Sequence, residues 1–150
     1  KSGVMNDVEL EAYHAVQLHS YITKLDIESK TLEELIHSFV VPATLRYQKE
    51  IAENVAALRS IDMVQSAKLQ VETLKNIAAA LDTIHGGLKK LDEAYAKAHK
   101  ADSLRDEADI FCHQVKPQME IIREAADDLE AIVDDQYWPL VKYRELLFIR

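Results

Sequence analysis

Turn-forming and cross-linking residues are scarce in this chain. Only three glycines and three prolines occur among 150 residues. That leaves little material for tight turns, so few and long elements are expected. A single cysteine, Cys112, excludes an internal disulfide and fits a reducing compartment. No run of about 18 apolar residues exists, which excludes a classical spanning helix. No segment alternates apolar and polar residues with Val, Ile and Thr enrichment, so no strand is expected. Positive charge is also in deficit. With 18 Lys and Arg against 26 Asp and Glu, the net charge is −8. Such a chain is repelled by phosphate backbones and anionic lipid, which argues against nucleic-acid and membrane roles. The first residues, Lys1-Ser2-Gly3, show neither an initiator Met nor a signal-peptide core, so the chain is expected to be a segment of something longer.

Apolar content is 48% and charged content 29%, a globular balance. The length suits one domain, residues 1–150. Leu18, Ile22, Leu25, Ser29, Leu32, Ile36 and Phe39 alternate steps of four and three, which keeps one stripe on a helix face. Asn6 with Glu9 forms a capping-box pattern at its start. Pro42 interrupts, and the stripe resumes at Tyr47, Ile51, Val55 and Leu58, so a kinked continuation is expected rather than a reversal. Asp62 with Gln65 has the spacing of a cap for the next helix. Leu74, Ile77, Leu81, Ile84, Leu88, Leu91 and Tyr95 then give three heptads of a/d spacing. Gly86-Gly87 sits inside this stripe, as a break or as a point of close helix approach. Ser103 caps the last helix, and its stripe runs from Leu104 through Phe111, Val115 and Ile122 to Val133, bent at Pro117. The expected fold is all-α: a bundle of long, kinked, antiparallel helices with a docked apolar C-terminal tail.

That tail, residues 138–150, carries Trp138, Leu140, Val141, Tyr143, Leu146, Leu147, Phe148 and Ile149. Burying those side chains yields on the order of 10–20 kcal/mol gross, an upper bound. The tail is therefore expected to dock on this domain or on a partner. Trp138, Tyr143, Leu147 and Phe148 are the expected anchors, because large aromatic and aliphatic residues dominate such contacts.

Motifs that carry chemistry are weak. Glu34-Leu-Ile-His37 has the E-x-x-H spacing of carboxylate metal bundles, but those need two such pairs plus two further carboxylates, and Glu34 points away from the apolar stripe. His14 and His19, five residues apart, diverge by about 140° on a helix. Cys112, beside the core position Phe111, reads as a packed thiol, since His113 points elsewhere. Seven acids and one base between Glu120 and Asp135 read as a solvated face. Gly86-Gly87 followed by Lys89 and Lys90 lies within a helical pattern and not before a helix N-terminus, so it is no phosphate cradle. No catalytic, cofactor-binding or metal-binding residue is assigned.

Three stretches resemble the type III glutamine synthetases, in matching order. The first is Val8-Glu-Leu-Glu-Ala-Tyr-His14, with Ile27-Glu28 further on. The second is Val40-Val-Pro-Ala-Thr-Leu-Arg-Tyr-Gln-Lys-Glu-Ile-Ala-Glu-Asn-Val55. The third is Val133-Asp-Asp135 with Trp138-Pro-Leu140 and Lys142-Tyr-Arg-Glu-Leu-Leu147. Residues 62–105 match in helical character alone. Tyr13 stands where the family tends to have Arg, and Val141 where it tends to have Pro. Lys116-Pro117 is similar to the start of a family ATP motif, but no Gly-x-His follows. The resemblance implies a C-terminal helical segment of a large, cytoplasmic, multi-subunit ligase that makes glutamine from glutamate, ammonia and ATP. It implies ATP and Mg2+ or Mn2+ held upstream, with no cofactor in this segment. It implies two partners: the rest of the parent catalytic chain and further copies in a ring-type homo-oligomer. A second reading from the residues is a free-standing helical interaction module, with the Leu74–Tyr95 stripe as its binding surface.

Overall fold

The computed structural model describes residues 6–147, with backbone only at positions 64 and 143. Its elements are α1 (Asp7–Leu35), α2 (Val41–Ser60), α3 (Lys68–Ala98), α4 (Leu104–Ile110), α5 (Lys116–Ile132) and the single turn α6 (Tyr143–Leu146). No strand occurs among the described residues.

The two interior prolines are absorbed in the same way. A π-helical turn, Ile36–Val40, joins α1 to α2, and a second, Phe111–Val115, joins α4 to α5. Each ends two residues before a proline, Pro42 or Pro117. Proline has no N–H and its ring presses on the carbonyl four residues back. Widening the preceding turn relieves that pressure: the N–H of Val41 reaches the carbonyl of Ile36, and the N–H of Lys116 that of Phe111. The helix continues through each proline instead of reversing. Residues 7–60 are thus one rod, roughly 80 Å long at about 1.5 Å per residue.

The inserted residue also shifts the stripe. Ile22, Leu25, Ser29 and Ile36 are buried as the spacing requires, but Phe39 is 38% exposed and Val40 takes the inner place. The expectation for Phe39 fails because a π-turn moves the next inward position from i+3 to i+4. The same local geometry leaves Cys112 exposed while Phe111 and Val115 enter the core, so the packed-thiol reading is corrected.

The caps separate into kept and reassigned signals. Asn6 accepts from the N–H of Glu9 at 2.8 Å and Glu9 accepts from the N–H of Asn6 at 2.9 Å, a complete capping box. Ser103 accepts from the N–H of Asp106 at 3.1 Å. Asp62, expected to start α3, instead ends α2. It adopts φ 59°, its N–H reaches the carbonyl of Arg59 at 3.2 Å, and the N–H of Met63 reaches that of Leu58 at 2.9 Å. Those paired bonds are a Schellman ending, and a short acidic side chain tolerates the left-handed conformation better than most. A 3-10 turn, Val64–Ala67, then leads into α3.

The α3 helix is the hub, packed along α5 and α2 and against α4. Ile77, Ala80, Ile84, Gly87, Leu91, Ala94 and Ala98 are buried, while Leu74, Leu81, Leu88 and Tyr95 pack partly buried beside them. The a/d seam is therefore one flank of a wider buried face. Gly87 explains itself here: a Cβ would lie 2.6 Å from Ile122 Cγ1, whereas at Gly86 it would meet nothing within 4 Å. Gly87 is the point of close approach between α3 and α5.

One polar contact ties the rod to the hub. The buried hydroxyl of Ser29 donates to the Leu25 carbonyl at 2.6 Å and shares a hydrogen bond with the Tyr95 hydroxyl. Tyr95 also donates to the Asp26 carbonyl at 3.3 Å, and its ring meets Phe111 edge-on at 5.6 Å. Burial, followed by the neighbouring acids, pushes the Tyr95 phenol above its ordinary range despite the opposing bond from Ser29.

Candidate functional site

The densest arrangement of specific contacts lies where the chain leaves α5 and folds back. Val133 ends the helix in extended geometry. Asp134 then organises a turn: its Oδ1 accepts from the N–H of Gln136 at 2.8 Å, and its carbonyl accepts from Tyr137 at 2.9 Å and Trp138 at 3.1 Å. A carboxylate that bonds the backbone two residues on is a standard turn former. The turn drives Tyr137 onto α2, where its ring sits 5.8 Å from that of Tyr47 and its hydroxyl donates to the Glu50 carboxylate. That bond holds the Tyr137 phenol above its usual range.

Lys142 completes the fold-back. The residue is buried, and its ammonium donates to the carbonyls of Glu130 at 2.8 Å and Val133 at 2.7 Å. It pairs with Asp135 Oδ1 at 2.9 Å and lies 5.8 Å from the Trp138 ring centroid. The last carbonyls of any helix lack intrahelical partners and carry the negative end of its dipole. Lys142 supplies both donors and charge to that end of α5, and Trp138 shields it on one side. Arg144 also pairs with Asp135, so one carboxylate holds two cations. The indole Nε1 of Trp138 is buried and meets no acceptor among the described residues.

The four expected anchors fall in different places. Trp138 is 8% exposed and belongs to the hydrophobic core. Tyr143 opens α6, and only its backbone is described. Leu147 is 80% exposed. Phe148 lies outside the described residues. Sequence reading missed Tyr137, Lys142, Asp135 and Glu50. A lone lysine inside an apolar run, Leu140-Val-Lys-Tyr143, is the signal that points to Lys142, since a buried ammonium needs partners.

Elsewhere the candidate ligands stay apart. Glu34 and His37 are exposed, as are His14 and His19. Among the described residues no group of three or more His, Cys, Asp or Glu is placed to hold a metal ion. No helix of the described residues is long and apolar enough to cross a membrane.

The surface carries a second feature, at the far end of the long rod. The first three turns of α1 run free of the bundle, and Val8, Leu10, Tyr13 and Val16 are exposed, Val8 by 76%. Of these, Val8 and Val16 lie on one face with Ala12, and uncovered apolar area of this kind marks an interaction surface.

Comparison with known proteins shows what the domain is similar to. The family model of the glutamine synthetase C-terminal domain matches residues 1–59, the whole long rod nearly to its end. The similarity to whole proteins extends further. A glutamine synthetase of Bacteroides fragilis is 31% identical over 151 residues, covering 98% of this chain. The Type-3 glutamine synthetase of Dictyostelium discoideum is 30% identical over 156 residues, covering 100% of it. Over residues 1–59 the chain matches the glutamine synthetase C-terminal domain, and over its whole length it is similar to part of these enzymes. A third relative, a glutamine synthetase of Butyrivibrio fibrisolvens, is 24% identical across 99% of the chain. In each case the chain spans 21% of the relative's length. Both the overhanging rod and the folded-back tail lie within the region of similarity.

Proposed function

We propose that this domain acts as the assembly and support element of a type III glutamine synthetase. The parent enzyme would join ammonia to glutamate at the expense of ATP, with Mg2+ or Mn2+ and all catalytic side chains supplied by the remainder of its chain. It would work in the cytoplasm as a ring-type homo-oligomer. The observation that carries this reading is full-length similarity of this chain to enzymes of which it spans only about a fifth. The surface supports it: Val8, Val16 and Leu147 expose apolar area toward the start of the rod and in the tail. Those regions would meet the rest of the parent chain and neighbouring subunits. Residues 138–150 would form the docking segment, with Trp138 and Lys142 anchoring its root and the exposed Leu147 meeting an external partner, alongside the other expected anchors, Tyr143 and Phe148.

The test is made on the native protein that carries this chain, captured with an antibody to residues 138–150. Its intact polypeptide mass and its ATP-dependent formation of glutamine are measured. A polypeptide several times longer than this chain that forms glutamine supports the reading. A polypeptide near this length, inactive and bound to unrelated proteins, overturns it in favour of a free-standing interaction module. Deleting residues 143–150 is expected to loosen assembly and lower turnover together, and unchanged native mass and turnover would remove the docking role.

A further inference from the structure

The buried stripe of α1 runs through Leu25, Ile22 and Leu18 and then changes character. At about 100° per residue, the positions that continue it toward the N-terminus are His14, Glu11 and Asp7. The inward line thus turns from apolar to acidic where the rod leaves the bundle. A different face becomes apolar there: Val8, Ala12 and Val16, spaced by four, with Tyr13 at its edge. Val8, Tyr13 and Val16 are all more than half exposed. No lysine or arginine occurs between residues 6 and 23. Asp7 and Glu11 make no ion pair among the described residues.

At the opposite end of the rod, the corner between α2 and α3 has the reverse charge. A concavity of about 660 Å³ is lined by Arg59, Lys68 and Lys75 around a single acid, Glu72, with Val71 in its wall. Those three cations also make no ion pair among the described residues. Exposed apolar residues occur in the same corner: Leu69 at 73%, with Ile61 and Met63 on either side of the acid Asp62. In a chain of net charge −8 this is a local cationic excess with exposed apolar residues close by in sequence.

We propose that the α1 overhang of one copy docks into the α2–α3 corner of a second copy. Its Val8–Ala12–Val16 face would cover Leu69, Ile61 and Met63, with Asp7 and Glu11 meeting Lys68, Lys75 and Arg59. The two surfaces are different and sit at opposite ends of one rigid rod, so the contact is head-to-tail, the kind that closes into a ring. The inference rests on the multi-subunit reading above and adds the surfaces that make the contact.

A charge swap in the full-length protein tests it, read by native mass and sedimentation velocity. Asp7→Lys with Glu11→Lys places like charges together, and so does Lys68→Glu with Lys75→Glu. Each pair alone is expected to weaken assembly by about tenfold or more in dissociation constant. Mixing the two variant proteins restores the contact between an altered overhang and an altered corner, and combining all four changes in one chain restores full assembly. All four positions are exposed, so helicity and melting temperature should hold, and that is checked first. If the overhang pair disrupts assembly but the corner pair does not, the overhang docks on the catalytic part of the parent and the proposal fails. If both pairs disrupt and the combination does not rescue, the surfaces do not meet and it fails. If neither pair changes the native mass of an active, oligomeric enzyme, the proposal falls while the assignment to glutamine synthetase stands.

Discussion

The middle of this domain and its two extremities use apolar residues in opposite ways. In the middle, Ile77, Ile84, Leu91, Phe111, Ile122 and Leu129 are sealed between three helical rods, and even a glycine is matched to its neighbour. At the α1 overhang and beyond Lys142, residues of the same chemistry, Val8, Val16 and Leu147, face outward. The difference is geometric. A helix covers its apolar face only where another helix runs beside it, and every residue from Asn6 to Gln17 is exposed. What the comparison teaches is that hydrophobicity in this chain divides into a folding part and a contact part. On α1 the change falls near Leu18 and in the tail near Lys142, and between them Ile27, Leu45 and Leu69 also belong to the exposed part.

The contrast is broken most sharply by truncating one residue of each kind. Phe111→Ala removes a ring that packs against Tyr95 and leaves a cavity among α3, α4 and α1. It should cost about 3–5 kcal/mol of stability in urea melts. Val16→Ser at the overhang should change stability by less than about 0.5 kcal/mol. Equal losses at both sites would mean that the overhang is folded into the domain after all.

Lys142→Met probes the border itself. It removes the charge-assisted donors to the Glu130 and Val133 carbonyls while keeping a side chain of similar length. A loss of about 2–3 kcal/mol is expected. It should be confined to the tail: faster proteolysis after residue 133, red-shifted Trp138 fluorescence and an unchanged α3–α5 core by hydrogen exchange. A core that loosened equally would show the tail to be integral to the bundle.

The adjacent glycines sharpen the comparison within one helix turn. Gly87→Ala should cost about 1–3 kcal/mol, because its methyl group meets Ile122. Gly86→Ala, facing open space, should add about 1 kcal/mol of stability through helix propensity. The same sign at both positions in thermal melts would contradict the close approach.

The smallest expected effect is a pH dependence of the tie between rod and hub. The folded Tyr95 phenol titrates above its unfolded value. Its contribution is therefore complete below about pH 10, the unfolded value, and is lost as pH rises through the higher folded value. Melting temperature between pH 9 and 11 should fall more steeply for the native protein than for Tyr95→Phe. Parallel curves would show that this hydroxyl is not what titrates.

Much of the architecture was legible in the residues. The stripes of α3 and of the α4–α5 rod, the capping box at Asn6 and the cap at Ser103 are local patterns, and local patterns survive folding. The resemblance to glutamine synthetase was legible for the same reason, since it resides in contiguous stretches such as Trp138-Pro-Leu140. Three readings failed, each for a physical cause. Phe39 was placed inside because the i+3 step ignores the residue that a π-turn inserts before Pro42. Asp62 was read as a start signal because an acid that begins a helix and an acid that ends one in the left-handed region look alike until the backbone is seen. Cys112 was read as packed because the residue beside a core position can fall on either side of a widened turn.

By itself, then, the sequence determined an all-helical chain, the positions of its rods, their inner stripes and its resemblance to the glutamine synthetases. Periodicity, caps and contiguous motifs are properties of residues close along the chain. Tertiary structure alone decided why Gly87 must lack a side chain, why Lys142 is buried and which apolar residues remain outside. Each of those depends on a partner far away in sequence: Ile122 for Gly87, the end of α5 for Lys142, and the place where the bundle stops for Val8 and Val16. A chain can encode a face in every fourth residue, but whether that face is covered depends on how far the neighbouring helix extends.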